Sequence, residues 1–207
     1  MTTVRLTTAA TKLARKGHPW FFSDDLATDA PQGDAKIVRL AGHRGEDLGL
    51  AFYSAASRLR VRRCGGWPGA AVPGPEEFFR ERLTEACAQR AEQRAPEPRG
   101  VRLVHGDADG LPGLVVDRYA DCLVLQSSAA VIERHLSCIV PWLREHTGAV
   151  SVLARNDLPT RRREGMPEEV RLLDGKRVEE VVIEELGIRH RVRPFAGHKT
   201  GFYLDQR

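Results

Sequence analysis

The stretch Gly65-Gly66-Trp67-Pro68-Gly69-Ala70-Ala71-Val72-Pro73-Gly74-Pro75 constrains this chain more than any other. Glycine and proline at this density stop both helix and strand, so no regular element runs through it. It divides the 207 residues into a short front part and a longer remainder. The total length suits one large domain or two small ones.

The two parts differ in charge. Residues 1–65 carry 11 Lys/Arg against 6 Asp/Glu, or +5, and residues 66–207 carry 21 against 22, or −1. A basic module on a near-neutral body is the pattern of a nucleic-acid binder, with a solvated basic surface as the plainer reading. Aromatics make up only 6% of the residues, so composition alone does not indicate a stacking platform for single strands.

The front part reads mostly as short strands: Val4-Arg5-Leu6-Thr7, Lys36-Ile37-Val38-Arg39-Leu40 and Leu48-Gly49-Leu50-Ala51-Phe52-Tyr53. Leu59-Arg60-Val61-Arg62 alternates, which would put both arginines on one strand face. A small β-barrel or curled sheet accommodates these.

After the linker, residues 76–94 read as a helix with Phe79, Leu83 and Cys87 on its apolar face, ended by Pro96 and Pro98. Leu114–Tyr119 and Cys122–Gln126 flank Ala120-Asp121 as a hairpin. Residues 129–146 form a second amphipathic helix that Pro141 should kink or divide. Ser151–Arg155 is a further strand, and Val178–Ile183 with Ile188–Val192 close the series as a hairpin.

The chain has no GxGxxG, no P-loop, no HExxH and no spaced metal-ligand cluster. Cys64, Cys87, Cys122 and Cys138 show no CxxC spacing and read as free thiols in a reducing compartment. No signal peptide or membrane-length apolar run is present. The first 23 residues lack acidic groups, as transit peptides do, but Val4-Arg5-Leu6-Thr7 reads better as a first strand, and a cytoplasmic location is expected.

Four stretches remain to be weighed. His18-Pro19-Trp20-Phe21-Phe22-Ser23 follows Lys12, Arg15 and Lys16. Basic groups beside aromatics can grip phosphates and stack a base. Alternatively Trp20 and Phe22 point one way and pack, which is the reading preferred for the aromatics, with the basic residues functional. In Gly106-Asp107-Ala108-Asp109-Gly110-Leu111-Pro112-Gly113 the two aspartates resemble an acid/base pair, but turn chemistry explains them better. Arg161-Arg162-Arg163, shortly after Asn156-Asp157, can contact several phosphates or form a solvated loop, and both readings stay open. Gly197-His198-Lys199-Thr200-Gly201-Phe202-Tyr203-Leu204-Asp205-Gln206-Arg207 starts with small and polar groups, and its Thr-Gly pair allows a ligand to approach the backbone.

Taken together, Lys16–Ser23, Gly106–Tyr119, Arg155-Asn156-Asp157 with Arg163-Glu164-Gly165, and Gly197–Arg207 resemble one family in order and spacing. It is the RlmI-type bacterial class I S-adenosylmethionine-dependent methyltransferases, which make 5-methylcytosine in large-subunit ribosomal RNA. The resemblance covers nearly the whole chain. It implies an α+β architecture: a PUA-like RNA-binding β-barrel over residues 1–70, a strand-strand-helix-strand α+β domain over 75–184, and the start of a Rossmann-like methyltransferase domain over 185–207, that last domain being largely absent.

The resemblance further implies that Lys199, Thr200, Gly201, Phe202 and Gln206 border the cofactor pocket. RNA would be held through Lys12, Arg15, Lys16 and the cluster Arg58, Arg60, Arg62 and Arg63, together with Arg161, Arg162 and Arg163. The chain departs from the family in that the cofactor loop, the acidic ribose partner and the catalytic cysteine would lie beyond Arg207. None of its four cysteines sits in a matching motif, and no catalytic residue is assigned. The expected partner is ribosomal RNA, with no membrane partner and a homodimer left open. S-adenosylmethionine is the cofactor of the parent enzyme and is not expected to bind these residues alone. The rival reading is a stand-alone, non-enzymatic RNA-binding module.

Overall fold

In a computed structural model, the described residues are 2–27, 31, 33, 35–65, 73–90, 100–197 and 200–204. Linker residues 66–72 lie outside them, as do Pro96 and Pro98, the expected end of the first long helix.

The front part contains β1 (Thr3–Arg5), α1 (Thr8–Arg15), β2 (Trp20–Phe21), β3 (Lys36–Ala41), β4 (Asp47–Tyr53) and β5 (Val61–Arg63). They form a five-stranded sheet in the order β1-β3-β4-β5-β2, with β1 parallel to β3 and the other pairs antiparallel. Val4, Leu6, Phe21, Val38, Leu40, Ala51, Tyr53 and Val61 form its core with Ala10 and Ala14.

The last two belong to α1, an element the strand pattern did not reveal. Thr7 caps this helix by accepting a hydrogen bond from the Ala10 amide at 3.3 Å. Its buried face consists of Ala10, Thr11 and Ala14. Arg60 precedes β5, so the expectation that Arg60 and Arg62 share one strand face is not met.

The body begins with α2 (Pro75–Gln89) and continues through β6 (Gly100–His105), β7 (Leu114–Tyr119), β8 (Cys122–Ser127), α3 (Ala130–Arg134), α4 (Leu136–Thr147), β9 (Ser151–Asn156) and β10 (Glu169–Gly175). Pro75 occupies the first turn of α2, where its missing N–H costs nothing. The sheet order is β10-β9-β8-β7-β6, with only β8 and β9 parallel. Its centre is strand-strand-helix-strand, and β6 and β10 extend it at either edge. The second amphipathic helix divides at His135 (φ −113°, ψ 13°), whereas Pro141 sits inside α4. The expected break at the proline is therefore misplaced by six residues.

One face of this sheet packs on α2, α3 and α4. Phe78, Phe79, Leu83, Ala86 and Cys87 of α2 are buried there. Leu50, Phe52 and Cys64 of the front sheet join the same core. Phe52 lies 5.9 Å and 6.0 Å, ring to ring, from Phe78 and Phe79. Burying each such ring is worth roughly 1.5–3 kcal/mol, so the two parts share stability as well as contact.

The other face is covered by the hairpin β11 (Val181–Glu185) and β12 (Ile188–Val192), which turns at Leu186-Gly187. Tyr119, Cys122, Val124 and Leu153 pack against Val181, Ile183 and Val192. A boundary between residues 184 and 185 falls inside this hairpin. Among the described residues, no helix is long and apolar enough to cross a membrane.

Candidate nucleic-acid interface

The front sheet and the body meet along a cleft of 1310 Å³. Its front wall, from the first sheet and its loops, includes Trp20, Phe22, Arg58 and Arg62, and its body wall includes His105, Asp107, Gln126, Ser128 and Arg163. Of the aromatic run, Phe21 is the core anchor, fully buried, while Trp20 and Phe22 are 42% and 46% exposed. The expectation that Trp20 and Phe22 simply pack is corrected. Successive strand residues face opposite ways, and here it is Phe21 that faces inward. The Trp20 indole N–H donates to Asp107 Oδ1 at 2.7 Å, which holds the exposed ring in place across the cleft.

The 106–113 run supplies the body wall through turn chemistry. Asp109 is buried, accepts from the His105 amide at 2.6 Å and pairs with Arg90 at 3.0 Å. Gly110 takes φ +67°, and a Cβ there would fall 2.5 Å from the Cys64 carbonyl oxygen. Only glycine lets this loop approach the end of β5 so closely.

The ten candidate basic residues separate by burial. Lys12 is exposed on α1 and Lys16 just past its end, and their ammonium groups have no partner among the described residues. Arg15 is exposed and pairs with Glu46 at 2.6 Å. Burial of the partly covered Arg63 guanidinium lowers its pKa, and it donates to the Ala14 carbonyl at 2.8 Å at the end of α1. Arg60 makes only a 3.5 Å contact with the Ser54 carbonyl. Arg62 pairs with Glu164 at 2.6 Å, joining barrel to body. Arg58 and Arg163 are exposed in the cleft, with no side-chain partner among the described residues.

The arginine triplet lies in a 3-10 turn, Pro159–Glu164, and its members do different things. Arg161 is fully buried. It donates to the carbonyls of Pro167 and Ser127 and pairs with Glu133 at 3.0 Å. It cannot meet a phosphate, so the expectation that it binds RNA is corrected. The inward side of the turn needs a cation for Glu133, and Arg161 provides it. Arg162 is exposed and pairs with Glu168 at 2.6 Å.

The C-terminal motif docks on the central sheet. The Thr200 hydroxyl donates to Asp117 Oδ2 at 2.6 Å, and Arg102 Nε donates to Asp117 Oδ1 at 2.8 Å. Tyr119 Oη lies 2.9 Å from Thr200 Oγ1 and accepts from the Phe202 amide at 3.2 Å. Burial, with Asp117 nearby, pushes the Tyr119 hydroxyl up to about 12. Gly201 takes φ +130°, and a Cβ there would fall 2.8 Å from Val192 Cγ1. The Phe202 ring lies 4.9 Å from the His190 ring.

The Thr200 hydroxyl is therefore engaged by Asp117 and Tyr119, and the side of Gly201 where a Cβ would stand is closed by Val192. The Thr200 side chain, buried at 1% exposure, faces Asp117 and not an open pocket. Phe202 is only partly buried, and Lys199 and Gln206 lie outside the described residues. Asp117 and Tyr119 fall in the quoted Gly106–Tyr119 stretch, but their pairing with Thr200, more than eighty residues away, was missed, as was Arg102.

A family model for a PUA-like domain matches residues 4–64. The chain is 36% identical over 203 residues to ribosomal RNA large subunit methyltransferase I of Aliivibrio fischeri, covering 95% of this chain and 50% of the relative. The protein of that name from Shewanella amazonensis is 35% identical over 207 residues, covering 99% and 52%. The chain thus spans about half the length of the curated relatives it matches.

Two solved structures share the fold at a TM-score of 0.79 over 100% of this chain. One, from Streptococcus mutans and described as a SAM-dependent methyltransferase, is 21% identical and covered to 52%. The other, a methyltransferase complexed with SAH, is 20% identical and covered to 51%. The overlay with two methyltransferase chains does not bear out the expected absence of most of the Rossmann-like domain.

Proposed function

We propose that these residues form the RNA-recognition portion of a large-subunit ribosomal RNA methyltransferase that uses S-adenosylmethionine and acts at cytosine C5. One observation carries the reading: a PUA-like domain is joined through buried contacts to an α+β body, in a chain similar over 95% of its length to proteins named for rRNA methylation. We divide the chain at 1–70, 75–184 and 185–207, with the β11–β12 hairpin spanning the last seam.

In this proposal RNA is held by the exposed cations Lys12, Arg15, Lys16, Arg58, Arg162 and Arg163. Arg60, Arg62, Arg63 and Arg161 support the frame that positions them. S-adenosylmethionine supplies the methyl group in the parent reaction, and no step of that reaction falls to a residue described above. The role of Thr200, Gly201 and Phe202 is to fasten the segment that carries Lys199 and Gln206.

The test is a pair of titrations of the 207-residue chain. A structured fragment of large-subunit rRNA should bind, and S-adenosylmethionine, followed by calorimetry, should not. Absence of RNA binding at low salt contradicts the proposal. Cofactor binding would contradict the assignment of these residues to recognition alone.

A further inference from the structure

We infer that the cleft between barrel and body takes an unpaired stretch of RNA, with a base stacked on Trp20 or Phe22 and the backbone passing Arg58 and Arg163. The inference rests on the RNA-recognition reading and adds to it the kind of RNA and the place.

Three observations converge on the cleft. First, two large aromatic rings stand 42% and 46% exposed at its wall, although Phe21 between them is fully buried. Trp20 does not collapse onto the barrel, because its N–H is tied to Asp107 on the opposite wall. A ring fixed this way offers its π-face at little further loss of conformational freedom. Second, the barrel contributes Arg58 and the body Arg163, and neither guanidinium has a partner among the described residues. Cations on both walls suit an anionic backbone threaded between them. Third, at 1310 Å³ the cleft exceeds the roughly 300–1,000 Å³ of ordinary small-molecule pockets. That scale suits a short run of nucleotides rather than a free one.

The aromatics decide between single strand and duplex. In an A-form helix the bases are stacked on one another and cannot reach a protein ring, whereas unpaired bases can splay onto one. Asp107, hydrogen-bonded to Trp20 from the opposite wall, places a negative charge beside that ring, which disfavours a phosphate there and leaves room for a base. Gln126, half-buried on the body wall, offers an amide that can read a base edge.

The experiment compares a labelled single-stranded oligoribonucleotide of about ten nucleotides with a blunt duplex of the same sequence, by fluorescence anisotropy. Trp20→Ala, and separately Arg58→Ala with Arg163→Ala, should each weaken single-strand binding about tenfold and change duplex binding little. Trp20→Phe, which keeps a ring but loses the tie to Asp107, should retain most of the affinity. Both arginines are exposed and unpartnered, so their removal leaves the fold intact and the double variant is decisive even if Trp20→Ala misfolds.

Unchanged single-strand affinity in the cleft variants overturns the inference. If Lys12→Ala with Lys16→Ala still weakens binding in that case, the RNA reading survives and only the cleft assignment fails. If the unaltered chain binds neither RNA at low salt, both fail together.

Discussion

Arg62 of the front sheet and Glu164 of the body meet at 2.6 Å, with 13% and 1% of their side chains exposed. Glu164 Oε2 also accepts from the Ala130 amide at the start of α3. One carboxylate thereby ties β5, the arginine turn and α3 together. Arg62 of β5 and Arg163 of the arginine turn line the cleft.

Removing the arginine strands a buried carboxylate, and breaking such a pair typically costs about 3–5 kcal/mol. Arg62→Ala should lower stability toward the bottom of that range, since Arg62 keeps some solvent contact. Urea denaturation followed by circular dichroism measures it. A loss below about 0.5 kcal/mol, the scale of exposed pairs, would show that the pair is not a working joint.

The docking of the C-terminal motif is a second testable joint. Thr200→Val keeps the shape but removes the donor to Asp117, which is fully buried and, among the described residues, keeps Arg102 as its remaining side-chain donor. A lost hydrogen bond to a buried charged group costs about 1–3 kcal/mol. Amide exchange at Phe202 should accelerate, and more so in Thr200→Val with Tyr119→Phe. Unaltered protection in the double variant would mean that the segment is held by packing alone.

Much of the fold was legible because its strands and long helices repeat apolar residues at the proper period. Leu114–Tyr119 with Cys122–Ser127, and Phe79, Leu83 and Cys87, are found where the pattern placed them. Helix α1 was not, because its buried face of Ala10, Thr11 and Ala14 is small or polar and gives no apolar signal. β10 was missed for a related reason: it is an edge strand whose Val170 and Leu172 remain 40% and 38% exposed.

The site was legible as a set of stretches, not as assignments within them. A triplet of arginines does not reveal that Arg161 turns inward to Glu133 while Arg163 turns out. Alternation in Trp20-Phe21-Phe22 does not say which parity faces the core. Tertiary partners decided both.

Alkaline stability follows from two buried acids. Burial pushes the Tyr119 hydroxyl up to about 12 and the Cys122 thiol up to about 11. The folded chain keeps both protons at pH values where the unfolded chain has released them. Their contribution is therefore fully present below about pH 9 and is lost as pH rises through 9 to 12. A shift of two units corresponds to about 2.7 kcal/mol as an upper figure for each group. Burial raises Cys64 and Cys138 in the same direction. Stability measured from pH 8 to 11 should fall steadily, and less steeply in Tyr119→Phe with Cys122→Ala. A rise over that window would contradict the placement of both groups.

The most direct test of the central claim is the salt dependence of binding to a large-subunit rRNA fragment. Each phosphate neutralised contributes a slope of about −0.7 to −0.9 in log K against log salt. The unaltered chain should bind with a steep slope, and Lys12→Ala with Lys16→Ala should both weaken binding and flatten that slope by about 1.5. Equal affinity and an unchanged slope in the double variant would show that the basic face of α1 is a solvated surface, and that RNA recognition does not reside there.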